Sequence, residues 1–273
     1  MTLSLRNTLI RVTLTISFSL FILYLISFFY LNQENFFSLD RIINILSEQN
    51  NTSIEIERTS LFWTIITASI LFAFSIITSL LLFHYFKKKI SPEIFFFILF
   101  ILSLSLQSIR LFQFQLLLLN VSPFFGVLIT RLYYFFRLFG LFCLFASSLF
   151  PIGIKFQKFG TILLSILLIS FTISTLIPID STQMNSYFLY YISDSSSILL
   201  MTLSIRVLTI VNLARVAITT KSKNYILVLI SSVLIITGDE LLLLFPIPLF
   251  AFILILVGTA IYSRSIYNYY LWN

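Results

Sequence analysis

Eight apolar stretches divide the chain and constrain its fold more than any other feature of the sequence. A helix needs about 20 predominantly apolar residues to cross the hydrocarbon core of a bilayer. We therefore predict an all-α, polytopic integral membrane helical bundle of about eight transmembrane helices. The predicted helices cover residues 10–31, 60–86, 93–119, 123–149, 159–178, 195–219, 225–245 and 248–266.

The prolines support these boundaries. Proline lacks a backbone N–H and clashes with the preceding turn, so it favours helix ends and first turns. The chain has 6 prolines, and each lies at the edge of a predicted helix. They are Pro92, Pro123, Pro151, Pro178, Pro246 and Pro248.

The composition excludes several classes of protein. Charged residues make up only 10% of the chain, whereas a soluble domain carries about 25%. The net charge of +7 would suggest nucleic acid on a soluble protein, but in so apolar a chain it marks cytoplasmic loops. We expect membrane lipids and a protein partner, and no nucleic acid.

Cysteine and histidine are too scarce for the usual metal sites. Cys143 is the only cysteine and His84 the only histidine. An internal disulfide needs two cysteines, and zinc or bis-histidine haem sites need several Cys or His ligands. We expect no metal and no cofactor.

The charged residues between the predicted helices separate by sign, which sets the orientation. One side receives Arg6, Arg11, Lys87, Lys88, Lys89, Lys155, Lys158, Lys221, Lys223 and Arg264. The other receives Glu34, Asp40, Glu48, Glu55, Glu57, Asp180 and Asp194, with Arg41 and Arg58 as its only bases. Because basic loops stay in the cytoplasm, we predict a plasma (inner) membrane protein with both termini cytoplasmic.

Three regions are predicted along the chain. Residues 1–31 form a cytoplasmic tail and anchor helix, 32–59 an external loop, and 60–273 a seven-helix transmembrane bundle. The first helix could instead be a signal peptide, but its apolar run is long and no A-x-A cleavage site follows. In the external loop, 38–48 has helical apolar spacing and predicts a short helix, either in the membrane interface or as a lid on the bundle.

A second external loop, 179–194, contains three tyrosines, Tyr187, Tyr190 and Tyr191. Tyrosine is enriched where a membrane meets water. We predict that these side chains form an aromatic belt at the outer interface.

Ionisable residues within membrane helices are costly unless paired or hydrated, so each is a candidate functional position. They are Arg110, Arg131, Arg137, Arg206, Arg215, Asp239 and Glu240. At 1.5 Å per residue, most lie about 9 to 16 Å below the outer helix ends, with Arg137 deeper. Arg215 is excluded from this cluster because it lies near the cytoplasmic end and on another face than Arg206.

The shared depth predicts an interhelical ion-pair network in the outer half of the membrane. Asp239 and Glu240 would neutralise arginines, with Gln107 and Gln113 as further polar partners. The four arginines Arg110, Arg131, Arg137 and Arg206 exceed the two carboxylates by two charges. They are therefore a candidate binding site for an anion or phosphate headgroup. The alternative is that the network only locks helix packing.

The sequence offers no plausible catalytic residues. His84 lies at the opposite end of the membrane from the buried charges, and every lysine lies in a cytoplasmic loop. Nucleotide-binding glycine motifs are absent. The segment "ITGD" lacks the first glycine of the G-x-G-D motif of intramembrane aspartyl proteases, and no other helix supplies a second aspartate. We predict that the protein is not an enzyme.

Two functional hypotheses remain. The first is a non-enzymatic multi-pass membrane protein, sensor-like or a membrane-complex subunit, whose output comes from a partner protein. One anchor plus seven helices resembles, in outline, bacterial seven-helix sensor regions. The second is a transporter or lipid-handling protein that binds an anion at the arginines. A cavity open to the outside would favour the second, and buried, paired arginines would favour the first.

Overall fold

The computed structural model describes residues 3–33, 58–86, 91–119, 121–153, 159–185, 187–244 and 248–272. The helices are α1 (Leu3–Gln33), α2 (Arg58–Phe86), α3 (Pro92–Gln107), α4 (Arg110–Leu118), α5 (Pro123–Leu149), α6 (Phe159–Leu176), α7 (Ser195–Thr220), α8 (Lys223–Leu244) and α9 (Pro248–Trp272). A 3-10 turn at Phe150–Ile152 extends α5. Two strands, β1 (Ile179–Met184) and β2 (Tyr190–Ile192), precede α7.

Eight helical segments within these ranges are long and apolar enough to cross a membrane, which confirms the predicted fold class. Each overlaps one predicted helix. The segments are Ser4–Ser27, Thr64–Phe86, Pro92–Gln113, Pro123–Ile152, Phe159–Leu176, Ser195–Thr220, Lys223–Leu242 and Leu249–Tyr269.

Helix α3 forms the centre of the bundle. Every residue from Pro92 to Gln107 is buried, and α1, α2 and α5 pack along it. From α9, the ring of Tyr262 stacks on Phe97 with 3.8 Å between centroids. Such continuous burial explains why α3 is apolar all round rather than amphipathic.

The third membrane segment is interrupted, which corrects the prediction of one helix over 93–119. At Ser108 the backbone N–H donates to the carbonyl of Ser105, only three residues back, at 3.1 Å. Such bonds tighten the helix to a 3-10 turn. The Ser108 hydroxyl donates to the Ala68 carbonyl of α2 at 3.3 Å, and the Ser105 hydroxyl donates to Ser17 of α1 at 3.0 Å. Arg110 begins α4 directly after this turn.

Helices α8 and α9 approach each other closely through two glycines. A Cβ atom on Gly238 would lie 2.9 Å from the carbonyl oxygen of Ala251, and one on Gly258 would lie 2.9 Å from that of Ser231. Small residues allow this backbone approach between membrane helices. Because Gly238 directly precedes Asp239, the approach fixes the part of α8 that carries the carboxylates.

Strands β1 and β2 form an antiparallel hairpin between α6 and α7. Its turn is held by Asn185, whose Oδ1 accepts from the N–H groups of Tyr187 at 3.0 Å and Leu189 at 3.1 Å. Phe188, Leu189 and Tyr190 are buried, so the hairpin tip packs into the bundle. We call this end of the bundle the hairpin end and the opposite one, where α1 begins and α9 ends, the terminal end.

The hairpin corrects the predicted aromatic belt at one of its three positions, Tyr190. Tyr190 is only 2% exposed, and its ring lies beside Gly126 of α5. Tyr187 is half-buried and Tyr191 is exposed. Two of the three tyrosines therefore contribute to packing at the hairpin end.

Several predictions concern residues outside the described ranges, namely the short helix over 38–48 and the lysines at 87–89, 155 and 158. The division into anchor, loop and bundle stays a prediction. Within the described ranges, α1 packs against α2 and α3, and Tyr24 Oη of α1 lies 3.1 Å from Ser69 Oγ of α2.

Candidate functional site

The two carboxylates of α8 face arginines from two different helices. Neighbouring residues on a helix point about 100° apart, so Asp239 and Glu240 can reach different partners. Arg137 Nη2 of α5 donates to Glu240 Oε2 at 3.0 Å. Arg206 Nη2 of α7 donates to Asp239 Oδ2 at 3.1 Å, and its Nη1 contacts Glu240 Oε2. The pairs form one chain across three helices, Arg137–Glu240–Arg206–Asp239.

We call these four residues the ion-pair network. The side chains of Arg206 and Asp239 are 8% and 5% exposed, respectively, and Glu240 is 25% exposed. Two arginines and two carboxylates give a net charge of zero. Removing charges from water is expensive, so buried ions persist when they are paired. The Nε atoms of Arg137 and Arg206 have no hydrogen-bond acceptor among the described residues.

Arg110 is buried beside the ion-pair network but is not part of it. It is 4% exposed, and among the described residues no carboxylate forms an ion pair with it. Its Cζ atom lies 5.8 Å from the ring centroid of Tyr133, a distance at which the ring face attracts a cation. The charge of Arg110 is thus stabilised by an aromatic ring and not by an anion of the described chain.

A small cavity separates Arg110 from the network. It has a volume of about 10 Å³ and is lined by Arg110, Gln107, Ser108, Tyr133 and Asp239, together with Leu71 and Leu242. A single water molecule needs about 10 to 15 Å³. The cavity can therefore hold one particle of that size, and not a phosphate group.

The β-hairpin covers this region from the hairpin end of the bundle. The N–H of Tyr190 donates to Thr130 Oγ1 of α5 at 3.3 Å. Tyr187 lies close enough to Arg110 for the two groups to interact electrostatically. Partial burial raises the pKa of the Tyr187 hydroxyl, so the residue is a neutral phenol at physiological pH.

The remaining candidate residues lie elsewhere. Arg131 is exposed on α5, which corrects its predicted place beside the carboxylates. Arg215 is exposed on α7, as expected for a side chain that can reach the interface. Gln113 is 1% exposed, but its Oε1 accepts no hydrogen bond from the described residues. Gln113 therefore does not bridge the ion-pair network.

One buried carboxylate was missed by sequence reasoning. Glu93, in the first turn of α3, is 1% exposed, and it accepts a hydrogen bond from Tyr225 Oη of α8 at 3.4 Å. It lies within the predicted helix 93–119 but was not among the ionisable residues considered above. The signal that could have found it is that same position, because an ionisable residue inside a membrane helix is costly unless it is paired or hydrated.

The site contains few groups that could bind a metal. Among the described residues no three His, Cys, Asp or Glu side chains cluster, and both network carboxylates are occupied by arginines. The arrangement can hold helices together and can stabilise a polar particle of water size beside Arg110.

Fold and site together define a polytopic helical membrane protein with a neutral ion-pair network in the hairpin half of its bundle. No protein-family model matches the chain, and no curated protein matches it.

Proposed function

We propose that the chain is a non-enzymatic multi-pass membrane protein, sensor-like or a subunit of a membrane complex. In this proposal the ion-pair network fixes the arrangement of α5, α7 and α8. The observation that favours this structural role over an anion site is the pairing of both network arginines with carboxylates of α8. Because the carboxylates already neutralise these arginines, we expect the site to bind an anionic substrate only weakly.

The small cavity also supports this proposal. A transported ion or lipid headgroup needs a route and a space, and the cavity beside the network measures about 10 Å³. Ligand pockets for small molecules are usually about 300 to 1,000 Å³. The hairpin packed on Thr130 supports a closed outer end.

The orientation is part of the same proposal. Lys221, Lys223 and Arg264 lie at the terminal end, whereas Asp180 and Asp194 lie at the hairpin end. By the positive-inside rule this distribution supports cytoplasmic termini and an external hairpin in a plasma membrane. An external hairpin with the exposed Tyr191 would then be the surface available to an extracellular signal or partner.

Two experiments test the proposal: one measures anion transport, and the other measures crosslinking to a partner protein. Reconstituted protein should carry neither chloride nor phosphate across liposomes above the leak of empty vesicles. In native membranes, a photo-crosslinking amino acid at Tyr191 or at Ile218, which is 74% exposed, should give a discrete protein adduct. The same group at Leu164, exposed on α6, is the control. Arg110-dependent anion flux, or no adduct at either position, would count against the proposal.

A second candidate function has one observation in its favour, the burial of Arg110 without an ion-pairing carboxylate in the described chain. In this candidate Arg110 binds a small monovalent anion, for which the adjoining cavity would have to widen, because it is of water size and Asp239 lines it. If so, chloride should raise the melting midpoint of the detergent-solubilised protein relative to gluconate, and Arg110→Gln should abolish that difference. Arg131→Gln, at an exposed arginine, is the matched control and should leave the difference unchanged.

A further inference from the structure

A large groove lies between α2 and α9, away from the ion-pair network. Its volume is about 450 Å³, within the range typical of small-molecule sites. The α2 wall consists of Phe74, Thr78, Leu81, Leu82, Tyr85 and Phe86. The α9 wall consists of Leu256, Thr259, Ala260, Ser263, Arg264 and Tyr267.

The groove exists because small side chains lie between two aromatic contacts. Phe74 packs edge to face on Phe252 at 5.3 Å, and Phe86 packs on Tyr267 at 5.8 Å. These two pairs set the separation of α2 and α9. Between them, Ala260 and its neighbours are too small to fill the space.

The length of the groove matches one leaflet of a bilayer. From Phe74 to Phe86 the helix rises about 18 Å, at 1.5 Å per residue. The hydrocarbon core of a bilayer is about 30 Å thick, so one leaflet measures about 15 Å. Within the candidate membrane span Thr64–Phe86, the groove covers the half nearer the terminal end.

The lining is mostly apolar along this length, and its one charged residue, Arg264, lies toward the terminal end. The hydroxyls of Thr259 and Ser263 donate to their own helix, to the carbonyls of Leu256 at 2.9 Å and Ala260 at 3.0 Å. Their hydrogen bonds are thus satisfied without a ligand. Such a surface suits a hydrocarbon chain better than a polar molecule.

The interfacial part of the groove carries a positive charge. Arg264 is exposed, and no ion pair links it to a carboxylate among the described residues. Tyr85 and Tyr267 are exposed near it, and tyrosine favours the headgroup region. A guanidinium presents forked donors that match a phosphate group.

We propose that this groove binds one anionic glycerophospholipid, with an acyl chain between α2 and α9 and its phosphate at Arg264. The charge, the apolar walls and the leaflet-sized length all fit this ligand. The inference does not depend on the proposed function, because no residue of the ion-pair network lines the groove.

To test the proposal, the protein is equilibrated in nanodiscs that contain equal amounts of phosphatidylglycerol and phosphatidylcholine and is then released into detergent. Native mass spectrometry identifies the lipid that stays bound. Wild-type protein should retain one phosphatidylglycerol in preference to phosphatidylcholine. Arg264→Gln should reduce that preference about fivefold, as expected for the loss of one basic residue at an anionic surface. Ala260→Trp should fill the groove and abolish retention of either lipid.

The controls are matched in place and chemistry. Arg215→Gln removes another exposed arginine toward the terminal end, and Val257→Trp adds a ring on the exposed surface of α9 outside the groove. Both should retain lipid as the wild type does. If Ala260→Trp fails to fold, Thr78→Phe fills the groove from the other wall.

Equal retention of the two lipids by the wild type would overturn the headgroup assignment. Unchanged retention in both Arg264→Gln and the groove-filling variant would overturn the site itself. A bound partner helix in place of lipid would also overturn it, and would appear as a co-purifying protein displaced by Ala260→Trp but not by Val257→Trp.

Discussion

Arg137 of α5 donates to Glu240 of α8 at 3.0 Å, and the same carboxylate oxygen of Glu240 contacts Arg206 of α7. Glu240 is therefore the shared partner of two arginines, whereas Asp239 pairs with Arg206 alone. Removing the Glu240 carboxylate therefore leaves Arg137 without an ion pair among the described residues, whereas removing the Asp239 carboxylate leaves both arginines paired with Glu240.

The first prediction follows from this difference. Glu240→Gln should destabilise the protein by about 3 kcal/mol, because it leaves Arg137 without a charged partner. Asp239→Asn should cost about 1.5 kcal/mol, because Arg206 keeps Glu240. Unfolding in mixed micelles of increasing SDS fraction, followed by circular dichroism, measures both. Arg131→Gln, the exposed control, should change stability by less than about 0.5 kcal/mol. A larger cost for Asp239→Asn than for Glu240→Gln would contradict the assignment.

The second prediction concerns charge balance. Arg137→Met or Glu240→Met alone leaves one unbalanced charge, whereas the double variant keeps the Arg206–Asp239 pair intact. Apolar replacement of a whole buried ion pair is often neutral. We expect the double variant to recover more than half of the stability lost by the worse single variant. Additive losses in the same SDS titration would mean that the two side chains do not interact.

The third prediction concerns the close approach of α8 and α9. Gly238→Ala should destabilise the protein by about 1 to 3 kcal/mol, as overpacking does, because its Cβ would lie 2.9 Å from the Ala251 carbonyl oxygen. Gly160→Ala is the matched control, since nothing lies within 4 Å of a Cβ there. Thermal melting in detergent should separate the two variants. Equal melting midpoints would show that the helices can move apart at no cost.

The fourth prediction is a pH dependence at the hairpin end. Asp194 Oδ1 accepts from the Ser197 N–H at 3.2 Å and caps α7. Hydrogen bonding with the Ser197 side chain, and then with its N–H, lowers the pKa of the exposed Asp194 carboxyl. A lowered folded-state pKa means that the stabilisation is present above the unfolded pKa, about 3.9, and is lost as the pH falls through the folded pKa. The melting midpoint of the wild type should therefore drop more steeply below about pH 4 than that of Asp194→Asn, which caps without titrating. Parallel curves would exclude this role.

The fifth prediction tests the orientation. Cys143 is the only cysteine and is buried, so Cys143→Ala provides a cysteine-free background. In that background, Ser181→Cys on the exposed hairpin should react with a membrane-impermeant maleimide in intact cells. Thr220→Cys, exposed at the terminal end of α7, should react only after permeabilisation. The reverse pattern would invert the proposed topology.

The helices and the pairing of the carboxylates with arginines could be predicted because each follows from a strong requirement that is visible in the sequence itself. Apolar length and prolines define a membrane helix, and a carboxylate in lipid needs a cation. Depth along a helix, however, says nothing about the face. Arg131 and Arg137 are six residues apart, about 120° around the helix, so only one of them could point at α8. The helical periodicity argument that excluded Arg215 from the cluster would also have placed Arg131 and Arg137 on different faces of α5.

Other features left weaker signals. The 3-10 turn at Ser108 contains no proline or glycine and depends on hydroxyl contacts to α1 and α2. The hairpin lacks an Asn-Gly turn and is held instead by Asn185. The turn at Ser108 is set by tertiary contacts, which a single sequence does not display. The hairpin turn depends on local side-chain-to-backbone bonds, for which a lone asparagine is a weak signal.

The burial of α3 has a consequence for biosynthesis. Tyr225 and Tyr262, which cover this helix, belong to α8 and α9, which follow it in the chain and leave the ribosome later. Until those helices are inserted, the faces of α3 that they cover remain exposed to lipid or to the insertion machinery. Chains truncated before α8 should therefore remain with insertion chaperones or be degraded, although most of their hydrophobic residues are already in the membrane.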